Sequence, residues 1–113
     1  MKNLIIMAVV FFASFSMQGQ QKKNKNAKYI IEVKGICDDC EKRIENAAFS
    51  VAGVKSAEWN SEDNSLKLIL NEQKTSLEMV QMQIAKAGYD SPNFKALDSD
   101  YQNLPKCCQY NRE

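Results

Sequence analysis

Gly35-Ile36-Cys37-Asp38-Asp39-Cys40 is the stretch on which the reading of the chain turns. Before it, Tyr29, Ile31 and Val33 alternate with Ile30, Glu32 and Lys34, the pattern of a strand with one side on a core, and Gly35 closes the run. After it comes a segment with helical spacing. Two thiols separated by two residues at the start of a helix bring both sulfurs to one point, where they can chelate a soft metal or close a small disulfide ring. The stretch by itself leaves both chemistries open.

Working outward, Ile44, Ala47, Ala48 and Val51 share one helical face opposite Glu41, Lys42, Arg43, Glu45 and Asn46, and Gly53 stops that helix. Val54 to Asn60 sends Val54, Ala57 and Trp59 toward a core, Ser61-Glu62-Asp63-Asn64 reads as a turn, and Leu66, Leu68 and Leu70 alternate in a further strand. That pair is expected to be a hairpin. Thr75 or Ser76 can cap a second helix with the apolar stripe Leu77, Val80, Ile84 and Ala87, ending at Gly88. Met79 and Met82 on this helix are expected to fill packing gaps rather than to act as thioether ligands. Tyr89 to Leu97, interrupted by Pro92, suits an edge strand. The order is strand, helix, strand, strand, helix, strand. The expected fold is therefore α+β, a ferredoxin-like βαββαβ sandwich with a four-stranded antiparallel sheet and two helices on one face.

Composition narrows the chemistry. The 113 residues carry 15 basic and 14 acidic side chains, a balance that gives no field to draw in nucleic acid. There is no histidine, which removes the commonest metal ligand and the commonest general base together. What remains is thiol chemistry from two close pairs, Cys37 with Cys40 and Cys107 with Cys108.

Residues 1–19 begin with Lys2, continue through the apolar run Leu4 to Phe15 and then turn small and polar, the pattern of a secretory signal peptide. An exported, soluble protein is expected, periplasmic if the source is a Gram-negative bacterium. The run is shorter than the roughly 20 residues of a membrane span, so no stable membrane insertion is expected after cleavage. Residues 20–27 read as a flexible lead-in, 28–97 as the domain, and 98–113 as a Cys-Cys tail.

On the Gly35 to Cys40 stretch, with Ile44, Gly53-Val54 and Ala87-Gly88-Tyr89, residues 28–97 resemble the heavy-metal-associated domain family. That family includes copper chaperones, the N-terminal modules of metal-transporting P-type ATPases and the periplasmic mercury-binding protein of resistance systems. Its pattern is Gly-Met-x-Cys-x-x-Cys. Here Gly35-Ile36 runs straight into Cys37, so that Ile36 takes over the methionine's place as an apolar plug, and Asp38 and Asp39 between the thiols are unusual for the family. The resemblance implies the βαββαβ fold and a metal held by Cys37 and Cys40, with Ile36 and Tyr89 beside it. Tyr89 reads equally well as a phenol over the thiols or as an ordinary core aromatic.

The function expected is that of a monomeric carrier and not an enzyme. It would take a soft cation, Cu(I) first and Hg(II) or Zn(II) after it, and pass it by ligand exchange to a P-type ATPase or another thiol-bearing acceptor. A thiol-disulfide redox protein using Cys37 and Cys40 is the rival from a different class. A module with all four cysteines locked in disulfides is a third reading. The tail Leu104-Pro105-Lys106-Cys107-Cys108-Gln109-Tyr110 is too apolar for a solvated end. It either lends Cys107 or Cys108 to the metal, forms a disulfide with Cys37 or Cys40 or within itself, or stays free. A third ligand is expected before a four-thiolate zinc cage, because adjacent residues rarely offer both sulfurs to one ion.

The helix-face assignment makes a stability prediction. Ile44→Ala is expected to cost about 2 to 5 kcal/mol and Lys42→Ala less than about 0.5 kcal/mol. Denaturant midpoints check it, and equal shifts would mean that the face was assigned wrongly.

Overall fold

The computed structural model describes residues 23–112. The signal peptide expected over residues 1–19 lies outside the described residues, as do the first residues of the lead-in. In chain order the elements are β1 (Ala27–Glu32), α1 (Asp38–Phe49), β2 (Val54–Asn60), β3 (Ser65–Leu70), α2 (Leu77–Lys86), a short α3 (Asp98–Gln102) and a 3₁₀ turn at Lys106–Cys108. Among the described residues no helix is long and apolar enough to cross a membrane.

The strands form an antiparallel sheet in the order β1-β3-β2, with Leu68 opposite both Tyr29 and Ala57, and Leu66 opposite both Ile31 and Trp59. This register lines alternate residues on one face, where Val33, Ala57, Trp59, Leu66, Leu68 and Leu70 form a buried cluster with Ile44 and Ala48 of α1 and Val80 and Ile84 of α2. Both helices therefore cover the same face, as the apolar stripes require. Val54 and Ala57, three residues apart, both turn toward this core because the register slips between Val54 and Ser56, a bulge that resets the alternation.

Local signals set the ends of α2. Ser76 caps its start, with the side chain accepting from the Met79 N–H at 3.3 Å. At its other end the Gly88 N–H reaches Ala85 O (3.0 Å) and the Tyr89 N–H reaches Ile84 O (3.2 Å), the double bond pattern that a left-handed glycine makes, and Gly88 has φ +106°. A Cβ at Gly88 would stand 2.8 Å from Asp100 O and 3.0 Å from Leu104 Cγ, so the same glycine lets the tail lie against the helix end.

Three expectations are corrected. The fourth strand over Tyr89 to Leu97 is absent among the described residues: the segment makes one bond to the end of β1, Lys34 N–H to Asp90 O at 3.1 Å, and then folds into a tight turn in which Ser91 and Phe94 pair with each other. Pro92 offers no N–H to a ladder, Asn93 takes a left-handed φ of 67°, and the Asp90 carboxylate turns back to accept from Ala96 N–H at 2.8 Å, which together bend the chain off the sheet. The lead-in is tied down from Asn24, whose carbonyl accepts from Glu72 N–H (2.9 Å) and whose N–H donates to the Glu72 carboxylate (3.1 Å). Met79 and Met82 are 48% and 43% exposed, off the Val80–Ile84 stripe, and do not fill the core.

The tail packs as part of the core: Leu104, Cys108 and Tyr110 are buried in the same cluster as the sheet leucines. The Tyr110 hydroxyl donates to Gly88 O (2.8 Å) and accepts from Asp90 N–H (2.9 Å). Its ring stacks on Tyr89 with centroids 5.8 Å apart and meets Tyr101 edge-on at 5.1 Å. Arg112 closes the wrap with two 2.9 Å bonds to Asp90, one of 2.9 Å to Asp98 and one of 2.7 Å to Ala96 O, its guanidinium 4.9 Å above the Tyr101 ring. Burial alone would raise the Asp90 carboxyl, but the Arg112 guanidinium and the Ala96 N–H outweigh it and hold the group below its ordinary value of 3.8.

Arg112→Ala leaves that buried carboxylate without its partner. The expected cost is about 3 kcal/mol, at the low end for a broken buried pair because Arg112 keeps 24% of its side chain in solvent. Since the folded carboxyl is depressed, the contribution is complete above pH 3.8 and is lost as pH falls through the lower folded value. Urea midpoints of both proteins, taken from neutral pH downward, should converge in acid.

Candidate metal centre

Gly35 and Trp59 form the floor of the site. A Cβ at Gly35 would sit 2.8 and 2.9 Å from two atoms of the Trp59 ring and 3.3 Å from Cys40 Cβ, so only glycine lets the thiol turn rest on the indole. Trp59 is fixed in turn by donating from Nε1 to Val33 O (2.9 Å), and its backbone N–H donates to the Glu45 carboxylate (2.9 Å). One residue of β2 thus ties together the end of β1 and the second turn of α1.

Cys37 is the N-cap of α1, in extended conformation and half-buried, and Cys40 lies in the first turn, fully buried. Their sulfurs are 3.9 Å apart, and all four cysteines are free thiols. The tail comes over this pair. Cys107 O is 3.6 Å from Cys37 Sγ, Cys108 O is 4.0 Å from Cys40 Sγ, and the Cys107 and Cys108 sulfurs are 4.0 Å apart. Two triads result: the sulfurs of Cys37, Cys40 and Cys108 lie within 4.8 Å of one another, and so do the Cys37 and Cys107 sulfurs and an Asp39 carboxylate oxygen. An ion ~2.3 Å from each of three sulfurs in a plane needs them about 4.0 Å apart, so the first triad fits a trigonal thiolate ion with small adjustments.

The electrostatics of the buried triad are uneven. Burial pushes the Cys40 thiol up, but the Cys37 and Ile36 amides, the Tyr89 hydroxyl and the Cys108 thiol more than offset it, and the net shift is downward. Cys108 is pushed up to about 12 by burial and by the charge it faces on Cys40. Of the two, Cys40 gives up its proton more readily than Cys108. The Tyr89 hydroxyl is buried without a hydrogen-bond partner of ordinary geometry, and burial first, then Cys40 and Cys108, raise its pKa. An orphaned donor beside two sulfurs suits a site in which both become thiolates.

The residues singled out in the sequence are thus placed as follows. Cys37, Cys40 and Cys108 converge. Cys107 is exposed beside Asp39, with its sulfur 3.9 Å from the carboxylate. Tyr89 is both a core aromatic and a neighbour of the thiols. Ile36 is 49% exposed, so its side chain plugs nothing and its contribution is the amide near Cys40. Sequence reasoning missed the Asp39–Cys107 contact and the Asp90–Arg112 clasp. Neither has a local signal, because the partners are 68 and 22 residues apart.

Residues 30–90 match the model of the heavy-metal-associated domain. The chain belongs to that family. Over 62 residues it is 36% identical to a copper chaperone CopZ of Staphylococcus epidermidis, an alignment spanning 54% of this chain and 91% of the relative. Among solved structures it is similar to a CopZ metallochaperone (27% identity, TM-score 0.56, 57% of this chain and 98% of the other). It is similar also to the copper-binding domain of the P-type ATPase HMA7 (25% identity, TM-score 0.55, 57% and 88%). The α+β, ferredoxin-like fold is that of these structures. The family match ends at residue 90, so Cys107, Cys108, Tyr110 and Arg112 lie beyond it.

Burial ranks the thiols by reactivity. In the native protein an alkylating reagent is expected to label Cys107 first and Cys37 next, and Cys40 and Cys108 only on unfolding. Mass spectrometry of timed labelling checks the order, and early modification of Cys108 would mean that the tail is not docked as described.

Proposed function

We propose that the protein is an exported, non-enzymatic carrier of Cu(I), holding the ion through Cys37, Cys40 and Cys108 and handing it to an acceptor that offers thiols of its own. The observation that carries this reading is the convergence of those three sulfurs within 4.8 Å around a buried hydroxyl that has no other partner. Three sulfurs without histidine favour Cu(I), and Hg(II) after it, over Zn(II), whose structural sites are four-coordinate. The family membership and the CopZ relatives support metal carriage, and the likeness to a copper-binding domain of a P-type ATPase supports such a transporter as the acceptor. Export rests on the pattern of residues 1–19.

The triad divides the work by exposure. Cys37, half-buried at the helix start, is the sulfur that an incoming ligand can approach, while Cys40 and Cys108 hold the ion from beneath. Transfer then runs by replacing Cys37 first and the buried pair afterwards, as the acceptor's thiolates arrive one at a time. The docked tail raises the barrier to losing the ion by excluding water and oxidant from the two inner sulfurs.

One Cu(I) per chain is expected to bind tightly, and Cys37→Ser or Cys40→Ser to abolish tight binding in competition with a Cu(I) chelator. Cys108→Ser should weaken affinity by at least about tenfold and reduce the sulfur count seen by X-ray absorption from three to two. Wild-type affinity in all three variants would sink the proposal. A chain that takes no metal but cycles between thiol and disulfide at a potential typical of exchange enzymes would return the redox reading.

A further inference from the structure

Two members of the second triad, Asp39 and Cys107, have no role in the site just proposed. Cys37, Asp39 and Cys107 gather at the surface, Cys107 and Asp39 exposed and Cys37 half-buried, with their ligand atoms within 4.8 Å of one another. Cys37 belongs to both triads. The Cys107 sulfur lies 3.9 Å from Asp39 Oδ2 on one side and 4.0 Å from the Cys108 sulfur on the other. A continuous line of donor atoms therefore runs from solvent to the buried sulfurs, and it passes through residues on two separate segments, the first turn of α1 and the 3₁₀ turn of the tail.

We propose that Cys37, Asp39 and Cys107 form a loading position, where an incoming Cu(I) is first captured before it moves inward to Cys40 and Cys108. The inference rests on the carrier reading above and deepens it. Two sulfurs and a carboxylate make a poorer set for a soft cation than three sulfurs, so the ion is held more weakly at the surface than inside, the order that inward movement needs. The Asp39 charge also attracts a cation to the only side on which the described cysteines are exposed. In the inward step the ion keeps its bond to Cys37, breaks those to the Cys107 sulfur and the Asp39 oxygen, and forms bonds to the Cys40 and Cys108 sulfurs. Copper remains Cu(I) and no electron is moved. The protons displaced from Cys108 and Cys40 go to the vacated Cys107 sulfur and to water, and Asp39 is left as a free carboxylate. The adjacent cysteines thus do not bind one ion together. Their sulfurs serve successive positions of the same ion, which is what an exposed and a buried thiol on consecutive residues can do.

The test is stopped-flow loading of the reduced, full-length mature protein from Cu(I) bound to a coloured chelator, with the equilibrium affinity measured beside it. Cys107→Ser and, separately, Asp39→Asn are expected to slow loading about tenfold, the effect of losing about 1.4 kcal/mol of stabilisation on the path. The equilibrium affinity should stay within about twofold, in contrast to Cys108→Ser, whose effect is on affinity. Both substituted side chains are exposed, so folding is expected to be unaffected and circular dichroism verifies it. Loading at the wild-type rate in both variants would overturn the proposal, and so would a loss of affinity in Cys107→Ser as large as that in Cys108→Ser, which would make Cys107 a resident ligand. A wild-type chain that takes no Cu(I) at equilibrium would overturn the carrier reading itself and this one with it. The two failures are therefore told apart by the affinity of the unaltered protein.

Discussion

The hydroxyl of Tyr110 joins the two halves of the site, accepting from the Asp90 N–H and donating to Gly88 O at the point where the family fold has just turned out of its second helix. Buried backbone groups at a helix end must find partners, and here a side chain from the tail supplies one to each. With Tyr110 fixed, Cys108, two residues earlier, has little choice of position. It comes to lie on Cys40. The stacked Tyr89 ring, the edge-on Tyr101 ring and the Arg112 clasp on Asp90 all hold the same few residues in place. The charged and hydrogen-bonded groups here settle which arrangement of the tail is adopted more than they add to stability, since burying Asp90 costs desolvation that Arg112 largely offsets.

On this scaffold the chemistry is graded by depth. Four thiols of one type are made different by where they stand: Cys107 in solvent, Cys37 at the rim, Cys40 beneath it with helix-start amides around its sulfur, and Cys108 sealed in with its proton held tightly. In the carrier reading proposed above, a soft ion would meet them in the order of their exposure.

Much of the fold was legible because its signals are local and periodic. The alternation in β1 and β3, the helical stripes of α1 and α2, the Ser76 cap and the Gly88 stop each depend on residues within a turn or two, and each stands where the spacing placed it. The hairpin was found although Val54 and Ala57 break the alternation, since a bulge moves the register without changing the strand. The segment after Tyr89 misled because a proline-interrupted stretch still suits an edge strand, while Pro92, the left-handed Asn93 and the bonds of the Asp90 carboxylate to Ala96 and Arg112 decide against one. Ile36 misled in the same way: substitution for a methionine by type implied burial, and the turn leaves it in solvent.

By itself, then, the sequence determined the α+β class, the order of strands and helices as far as α2, and the placing of Cys37 and Cys40 at a helix start, since all of these follow from spacing along the chain. The tertiary structure alone decided which tail sulfur joins them. Adjacent residues in a 3₁₀ turn point their side chains in different directions, so one of Cys107 and Cys108 had to face inward and the other out, and nothing in the order Cys-Cys says which. The choice was made by Tyr110 and Arg112, whose bonds to Gly88, Asp90 and Ala96 fix the rotation of the turn relative to α1. Those contacts span from 16 to 22 residues of chain, beyond the reach of any local pattern.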